Sequence, residues 1–283
     1  MLPAIKEKEL RLKALKLRKN IVEMIGVGKA GHLGGSSSIA DVVSVLYFGE
    51  MRIDPRNPKD PDRDRFLLSK GHAVLAQYAA LAELEYFPKS EFAKLKALGG
   101  ILQGHPDMDE TPGIEAVTGS LGQGLSIACG LAMGIRLDSR PSRVFVVLGD
   151  GELSEGQIWE AAMAAAKFKI DNLTAILDYN GIQATGPTDE IFPIPDVPAK
   201  WAAFGWHVIE IDGHDIPAIH SALQEAKEGT GKPTIIIART IKGKGISFAE
   251  HQAAFHNGTL TQEQYQLALK ELDSQMSEVE RNG

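Results

Sequence analysis

The chain changes rhythm at its midpoint. Up to about residue 140 the apolar positions recur at helical intervals. Ile5, Leu12, Leu15, Ile21, Val22 and Ile25 form one stripe, with Lys6, Lys8, Arg11, Lys13, Lys16, Arg18 and Lys19 around it. That spacing predicts an N-terminal helix with one packed face and one solvated basic face. Residues 36–48 start polar and continue with Ile39, Val42, Val43, Val45 and Leu46, and residues 73–84 are rich in helix formers, so each reads as a helix. Between them, Asp54-Pro55-Arg56-Asn57-Pro58-Lys59-Asp60-Pro61 reads as a surface loop, because each proline removes a donor and restrains the residue before it.

Beyond residue 140, short apolar runs take over. Val144-Phe145-Val146-Val147-Leu148, stopped by Gly149-Asp150-Gly151, predicts a strand covered on both faces, and residues 173–177, 206–211 and 234–238 predict three more. Helices are expected at 157–168, at 217–227 and in the polar stretch 261–280. Strand and helix alternate, so the fold class is α/β: a doubly wound, mainly parallel sheet with helices on both faces.

Composition narrows the function classes. The 283 residues, 43% hydrophobic and 24% charged, describe a soluble globular protein near the upper size for one core, and with no repeat or low-complexity linker the expectation is a single domain over residues 1–283. A net charge of −7 with no basic block argues against nucleic acid. No stretch approaches the roughly 18 continuous apolar residues of a membrane span, and Glu7 and Glu9 interrupt the basic start, which fits neither a secretory signal nor an import peptide. The one cysteine, Cys129, lies in a small-residue helical run and reads as packing; with no disulfide possible within the chain, a cytoplasmic location is expected.

Candidate chemistry lies at the strand ends. Asp150 and Asn180 each follow a predicted strand, and if those strands are neighbours, a carboxylate and a carboxamide oxygen meet at one rim of the sheet. With a backbone carbonyl, phosphate oxygens and water they could complete magnesium's octahedral shell. Gly149 and Gly151 let a phosphate approach the backbone, although Gly-Asp-Gly alone is equally an ordinary turn. Asn180 stands thirty positions after Asp150, with Glu155 and Glu160 between them, and this arrangement resembles the diphosphate-binding signature of thiamine diphosphate enzymes. Four of the eight histidines sit in Gly-rich loops: Gly31-His32-Leu33-Gly34, Lys70-Gly71-His72, Gly104-His105-Pro106 and Phe255-His256-Asn257-Gly258. Together with Gly119-Ser120-Leu121-Gly122-Gln123-Gly124, the chain from its first helix to about His256 resembles the cofactor-diphosphate half of a transketolase.

The resemblance implies thiamine diphosphate and magnesium as cofactors and transfer of a two-carbon ketol unit between sugar phosphates. It implies that His32, His72, His105 and His256 surround the reacting carbons as proton-transfer groups, a task suited to imidazole. Gly119 and Leu121 would support the aminopyrimidine. Lys70, Lys242, Gly149 and Gly151 would lie at the diphosphate with His72 and His256, and Glu155 and Glu160 would belong to the cofactor site. Asp150, Asn180 and the Ile182 carbonyl would hold the metal. Leu33-Gly34-Gly35 stands where many members carry Pro, and Asn257 adds a residue to the usual His-Gly. A transketolase also has pyrimidine-binding and C-terminal domains, and nothing here resembles them. The essential glutamate belongs to the missing part, so the resemblance implies a separately encoded partner chain, in two copies of each. The alternatives are the α subunit of a 2-oxo acid dehydrogenase, which shares Gly-Asp-Gly and Asn but not the histidines, a deoxyxylulose phosphate synthase-like role, and a non-catalytic cofactor-binding module.

Overall fold

A computed structural model describes residues 2–229 and 231–282. The helices and strands, in chain order, are α1 (Ala4–Ile25), α2 (Leu33–Ser38), α3 (Ala40–Val45), β1 (Arg65–Leu68), α4 (Val74–Glu83), α5 (Gln123–Leu137), β2 (Val144–Gly149), α6 (Gly156–Lys167), β3 (Leu173–Tyr179), α7 (Thr188–Ile191), α8 (Val197–Ala203), β4 (His207–Asp212), α9 (Ile216–Lys227), β5 (Thr234–Arg239) and α10 (Gln262–Asn282). The five strands form one parallel sheet in the order β1-β2-β3-β5-β4. Side chains alternate across it. Phe145, Val147, Ile176 and Ile236 pack with α1, α3, α4 and α9 on one face, and Val146, Leu148, Ala175 and Ile237 pack with α5, α6 and α8 on the other. The expected α/β sheet with helices on both faces is therefore present. Capping aspartates and prolines start two of the helices: Asp196 and Asp215 accept N–H bonds from Ala199 (3.1 Å) and Ala218 (3.3 Å), with Pro198 and Pro217 in the first turn.

Four expectations need correction. β1 lies among the N-terminal helices where no strand is expected, because four residues beginning with Arg65 are too short to show a period. The helix expected over 36–48 is broken at Ile39, which separates α2 from α3, and it ends in a π-helical turn, Leu46–Glu50. On α1, Leu15, Ile21, Val22 and Ile25 are buried as expected and Leu10 and Leu17 join them, but Ile5 is exposed and Leu12 only half-buried. The basic face of α1 is not simply solvated. α10 packs against it, with Lys19 paired to Asp273 at 2.6 Å, and Arg18 is buried against Asp41 at 2.5 Å. Cys129 is buried in α5, where burial pushes its thiol up to about 12, as the packing reading expects.

Candidate active site

Four strand ends converge on one cleft. β1 delivers Ser69 and Lys70, β2 delivers Gly149 and Asp150, β3 ends in Asp178, Tyr179 and Asn180, and β5 leads into Thr240 and Lys242. β2 and β3 are hydrogen-bonded neighbours with Gly149 opposite Asp178, so the condition for Asp150 and Asn180 to meet is satisfied. The cleft has a volume of about 240 Å³ and is lined by Gly35, Lys70, His72, Leu121, Asp150, Asn180, Ile182, Gln183, Lys242 and His256, among others. That is below the roughly 300–1,000 Å³ of a pocket that engulfs a whole drug-sized ligand.

Two buried carboxylates, neither given a role from the sequence, tie these segments together. Asp178 is fully buried and takes hydrogen bonds from Lys70 Nζ (2.5 Å), Ser38 Oγ (2.7 Å), Asn180 Nδ2 (2.8 Å) and Thr240 Oγ1. Burial opposes its charge, but the Lys70 ammonium and these donors outweigh burial and hold its carboxyl below the usual range. Glu152 accepts from Ser69 Oγ, the Gly122 amide (2.9 Å) and the Gly149 amide (3.0 Å), joining the Ser-Leu-Gly-Gln-Gly loop to the end of β2. The sequence signal for Asp178 is a lone acid closing the apolar strand Leu173–Tyr179, where a charge must find partners. A third support lies behind Lys242. His214 Nε2 accepts the Ile241 N–H (2.9 Å), and its Nδ1 donates to Asp41 (2.7 Å), which also holds Arg18. This network assigns the neutral Nδ1–H tautomer.

All four loop histidines come together. Ring centroids are 4.9 Å apart for His72 and His256, 5.2 Å for His32 and His72, 5.6 Å for His32 and His256, and 6.3 Å for His32 and His105. His72 and His256 line the cleft, and His32 and His105 stand outside its lining. Burial, reinforced by neighbouring cations, lowers His72 to about 2 and His32 and His256 to about 4; burial and Lys96 lower His105. Burial and the nearby Lys70 charge bring Lys242 down to about 8. Burial is the main cause of these shifts, and the two lysine ammonium groups in the cleft add to it.

Local features explain the histidine loops. A Cβ on Gly34 would stand 2.9 Å from Lys242 Cγ, so the Leu33-Gly34-Gly35 sequence lets Lys242 pass. With Asn257 present, His256 lies in the histidine cluster. Gly31 and Gly258 exchange backbone hydrogen bonds (2.9 and 3.1 Å). Gly119, at φ +140°, lies against His105, whose Cδ2 would be 2.9 Å from an added Cβ. Glu155 and Leu121 line the cleft; Glu160 is exposed on α6 and does not.

Where the sequence leads a metal to be expected, Asp150 accepts N–H bonds from Gly151 (2.8 Å) and Gly181 (2.5 Å), Asn180 Oδ1 accepts from Ile182 N–H (3.1 Å), and the Ile182 carbonyl accepts from Lys242 Nζ (2.8 Å). Burial, then the Asp178 charge, push Asp150 up to about 6, a carboxylate that gains from a cation beside it. Among the described residues no three His, Cys, Asp or Glu side chains form a metal cluster. One carboxylate with two neutral oxygens suits a hard cation whose shell is completed by phosphate and water. A buried donor without a partner, Gln183 Nε2, also belongs to this cleft. The residues thus fit a magnesium diphosphate group.

Comparison with known proteins agrees with this geometry. Residues 11–278 match the family described as transketolase, thiamine diphosphate binding domain. The chain is 48% identical over 267 residues to the 6-deoxy-6-sulfo-D-fructose transketolase subunit of a Clostridium species, covering 94% of this chain and 97% of that protein. It is 41% identical over 272 residues to an apulose-4-phosphate transketolase subunit of Phocaeicola vulgatus, covering 96% of each. The crystal structure of transketolase from Campylobacter jejuni superposes with a TM-score of 0.86 at 28% identity, covering 99% of this chain and 48% of that one. With the cleft, the histidine cluster and these matches in agreement, the chain belongs to the transketolase family and carries its thiamine diphosphate binding domain.

Proposed function

We propose that this chain is the diphosphate-holding subunit of a two-component transketolase, and that with thiamine diphosphate, magnesium and a partner subunit it transfers a two-carbon ketol unit from a ketose phosphate to an aldose phosphate. The observation that carries this reading is the cluster of four histidine rings beside Lys70, Lys242, Asp150 and Asn180 at the carboxyl ends of the strands. Lys70, Lys242 and the Gly149-Asp150-Gly151 turn hold the diphosphate, and Asp150, Asn180 and the Ile182 carbonyl hold magnesium. His72 and His256 face the cofactor; Gly119, Leu121 and Glu155 border it. When bound, thiamine diphosphate supplies the electron sink that lets the bond beside the ketose carbonyl break. His32 and His105 take a proton from a sugar hydroxyl and return one to the new alcohol, as neutral imidazoles can. The donor's C2–C3 bond breaks, a carbon–carbon bond to the acceptor aldehyde forms, and no net oxidation occurs.

The partner subunit supplies the pyrimidine-binding and C-terminal domains, two copies of each chain assemble, and residues 1–283 act as one domain. The two relatives matched along almost their full length are named as subunits, which supports this arrangement. Exposed Leu98 and Val117, which share a shallow depression with His105, offer apolar surface to such a partner. A cytoplasmic site of action agrees with the buried single thiol, and among the described residues no helix is long and apolar enough to cross a membrane. Xylulose 5-phosphate is the default donor, within pentose phosphate metabolism. A sulfonated ketose is the second reading, favoured by the 48% identity to the sulfofructose enzyme subunit.

Asp150→Ala is expected to weaken magnesium-dependent retention of thiamine diphosphate by about 100-fold, the upper end of the effects of altering a metal site's support. In the unaltered protein the same retention should fall as the pH drops below about 6, because a proton then competes with the metal for this carboxylate. Equilibrium dialysis measures both, and retention unchanged by the substitution rejects the metal assignment. The reading as a whole is tested by co-expressing the chain with the product of the adjacent gene and screening ketose donors for two-carbon transfer to ribose 5-phosphate. At least one donor should react; a cofactor-loaded complex inert with every donor overturns the function.

A further inference from the structure

Gln183 has no role in the reading so far, yet its side chain occupies a specific place. It lines the cleft with Asp150, Asn180 and Lys242. Its Cγ and Cδ lie across Gly151, 3.0 and 3.2 Å from where a Cβ on that residue would stand, so the glycine leaves room for the carboxamide. The loop that carries it is pinned on three sides. Gln183 N–H bonds the Gly186 carbonyl (2.8 Å), Thr188 N–H bonds the Gly181 carbonyl (2.8 Å), and Gly181 N–H bonds Asp150. The Gln183 carbonyl also accepts from Lys242 Nζ at 3.4 Å. Within this fixed frame, Nε2 is buried and has no hydrogen-bond partner. A buried amide donor left unmade is costly, and native structures keep few of them, so an acceptor is expected to meet it. The ammonium groups of Lys70 and Lys242 line the same cleft, and that of Lys242 stands beside the Gln183 carbonyl, which points to an anionic acceptor.

We infer that Gln183 is a further cofactor-binding residue, donating from Nε2 to an oxygen of the diphosphate that lies over the Gly149-Asp150-Gly151 turn. The inference rests on the transketolase reading, because it takes the ligand from it. Lysine supplies charge without direction, whereas a carboxamide on a pinned loop supplies one directed bond, which fixes how the diphosphate lies against the turn.

The test measures binding in the complex with the partner chain, using two probes in the presence of magnesium: thiamine diphosphate and inorganic pyrophosphate. Gln183→Leu removes the donor. Gln183→Glu keeps the shape and an acceptor oxygen but replaces the donor by a negative charge. Calorimetry should show both probes weakened roughly tenfold or more by the leucine variant and by equal factors, and weakened further by the glutamate variant, with melting temperatures unchanged. Unchanged affinity in Gln183→Leu overturns the inference, as does a loss for thiamine diphosphate alone, which would put the side chain at another part of the cofactor. Affinity retained in Gln183→Glu also overturns it, because the carboxamide would then act through its oxygen. Failure of the unaltered complex to bind thiamine diphosphate would instead reject the functional reading beneath it.

Discussion

Purified on its own and supplied with thiamine diphosphate and magnesium, the chain is expected to transfer no two-carbon units, and addition of the partner subunit should restore turnover by at least about 10⁴-fold, the scale of losing both proton transfer and orientation. The acidic side chains of the cleft explain why. Asp150 is committed to the Gly151 and Gly181 amides, and Glu152 is spent on Ser69, Gly122 and Gly149. Glu155 lies at the rim and is exposed. Among the described cleft residues no acid is both enclosed and free of partners, so the proposed partner chain would have to supply the one that exchanges a proton with the cofactor. Turnover by the isolated chain above about one per cent of that of the complex, a loss of less than 10²-fold and so within the reach of one catalytic group, would sink the two-component arrangement.

The second large effect concerns His32. In the reconstituted complex, His32→Ala is expected to lower kcat by 10² to 10⁴-fold while cofactor affinity and assembly stay within about twofold, the range for loss of one general acid–base group. The geometry separates these readouts. The His32 ring lies within 5.2–6.3 Å of the other three rings but is not part of the cleft lining, so its removal leaves Lys70, Asp150 and Asn180 in place. The competing reading is a cofactor-binding module with no catalytic part, for which the substitution would leave turnover of the assembled enzyme intact. Steady-state kinetics together with sedimentation of the complex decides between them.

The site is largely legible without the fold, for a physical reason. Asp150 and Asn180 follow strands whose apolar runs are unmistakable, and a parallel sheet presents those ends to one rim whatever the details of its helices. The four histidines are legible as a set because each sits among glycines. What is not legible depends on partners far away in sequence. Asp178 meets Ser38 and Lys70, which lie 140 and 108 positions earlier, and no local pattern marks that. Arg18 reads as one more solvated base until the fold buries it against Asp41, which also holds His214. Glu160 shows the opposite limit: it lies in the expected stretch of sequence, but α6 turns it outward, away from the cleft.

The sequence by itself determined the alternation of strand and helix, the chemistry at the strand ends and the family, since apolar periodicity and short motifs are local properties of the chain. Tertiary structure alone decided which carboxylates serve as hubs, which histidines line the cleft at the strand ends and which stand outside it, and that Gln183 has a donor with nothing to receive it. Each of these depends on which groups are excluded from water together. Exclusion of this kind arises only when β1, β2, β3 and β5 bring their ends side by side, where a charge or donor deprived of solvent must find its partner in another segment.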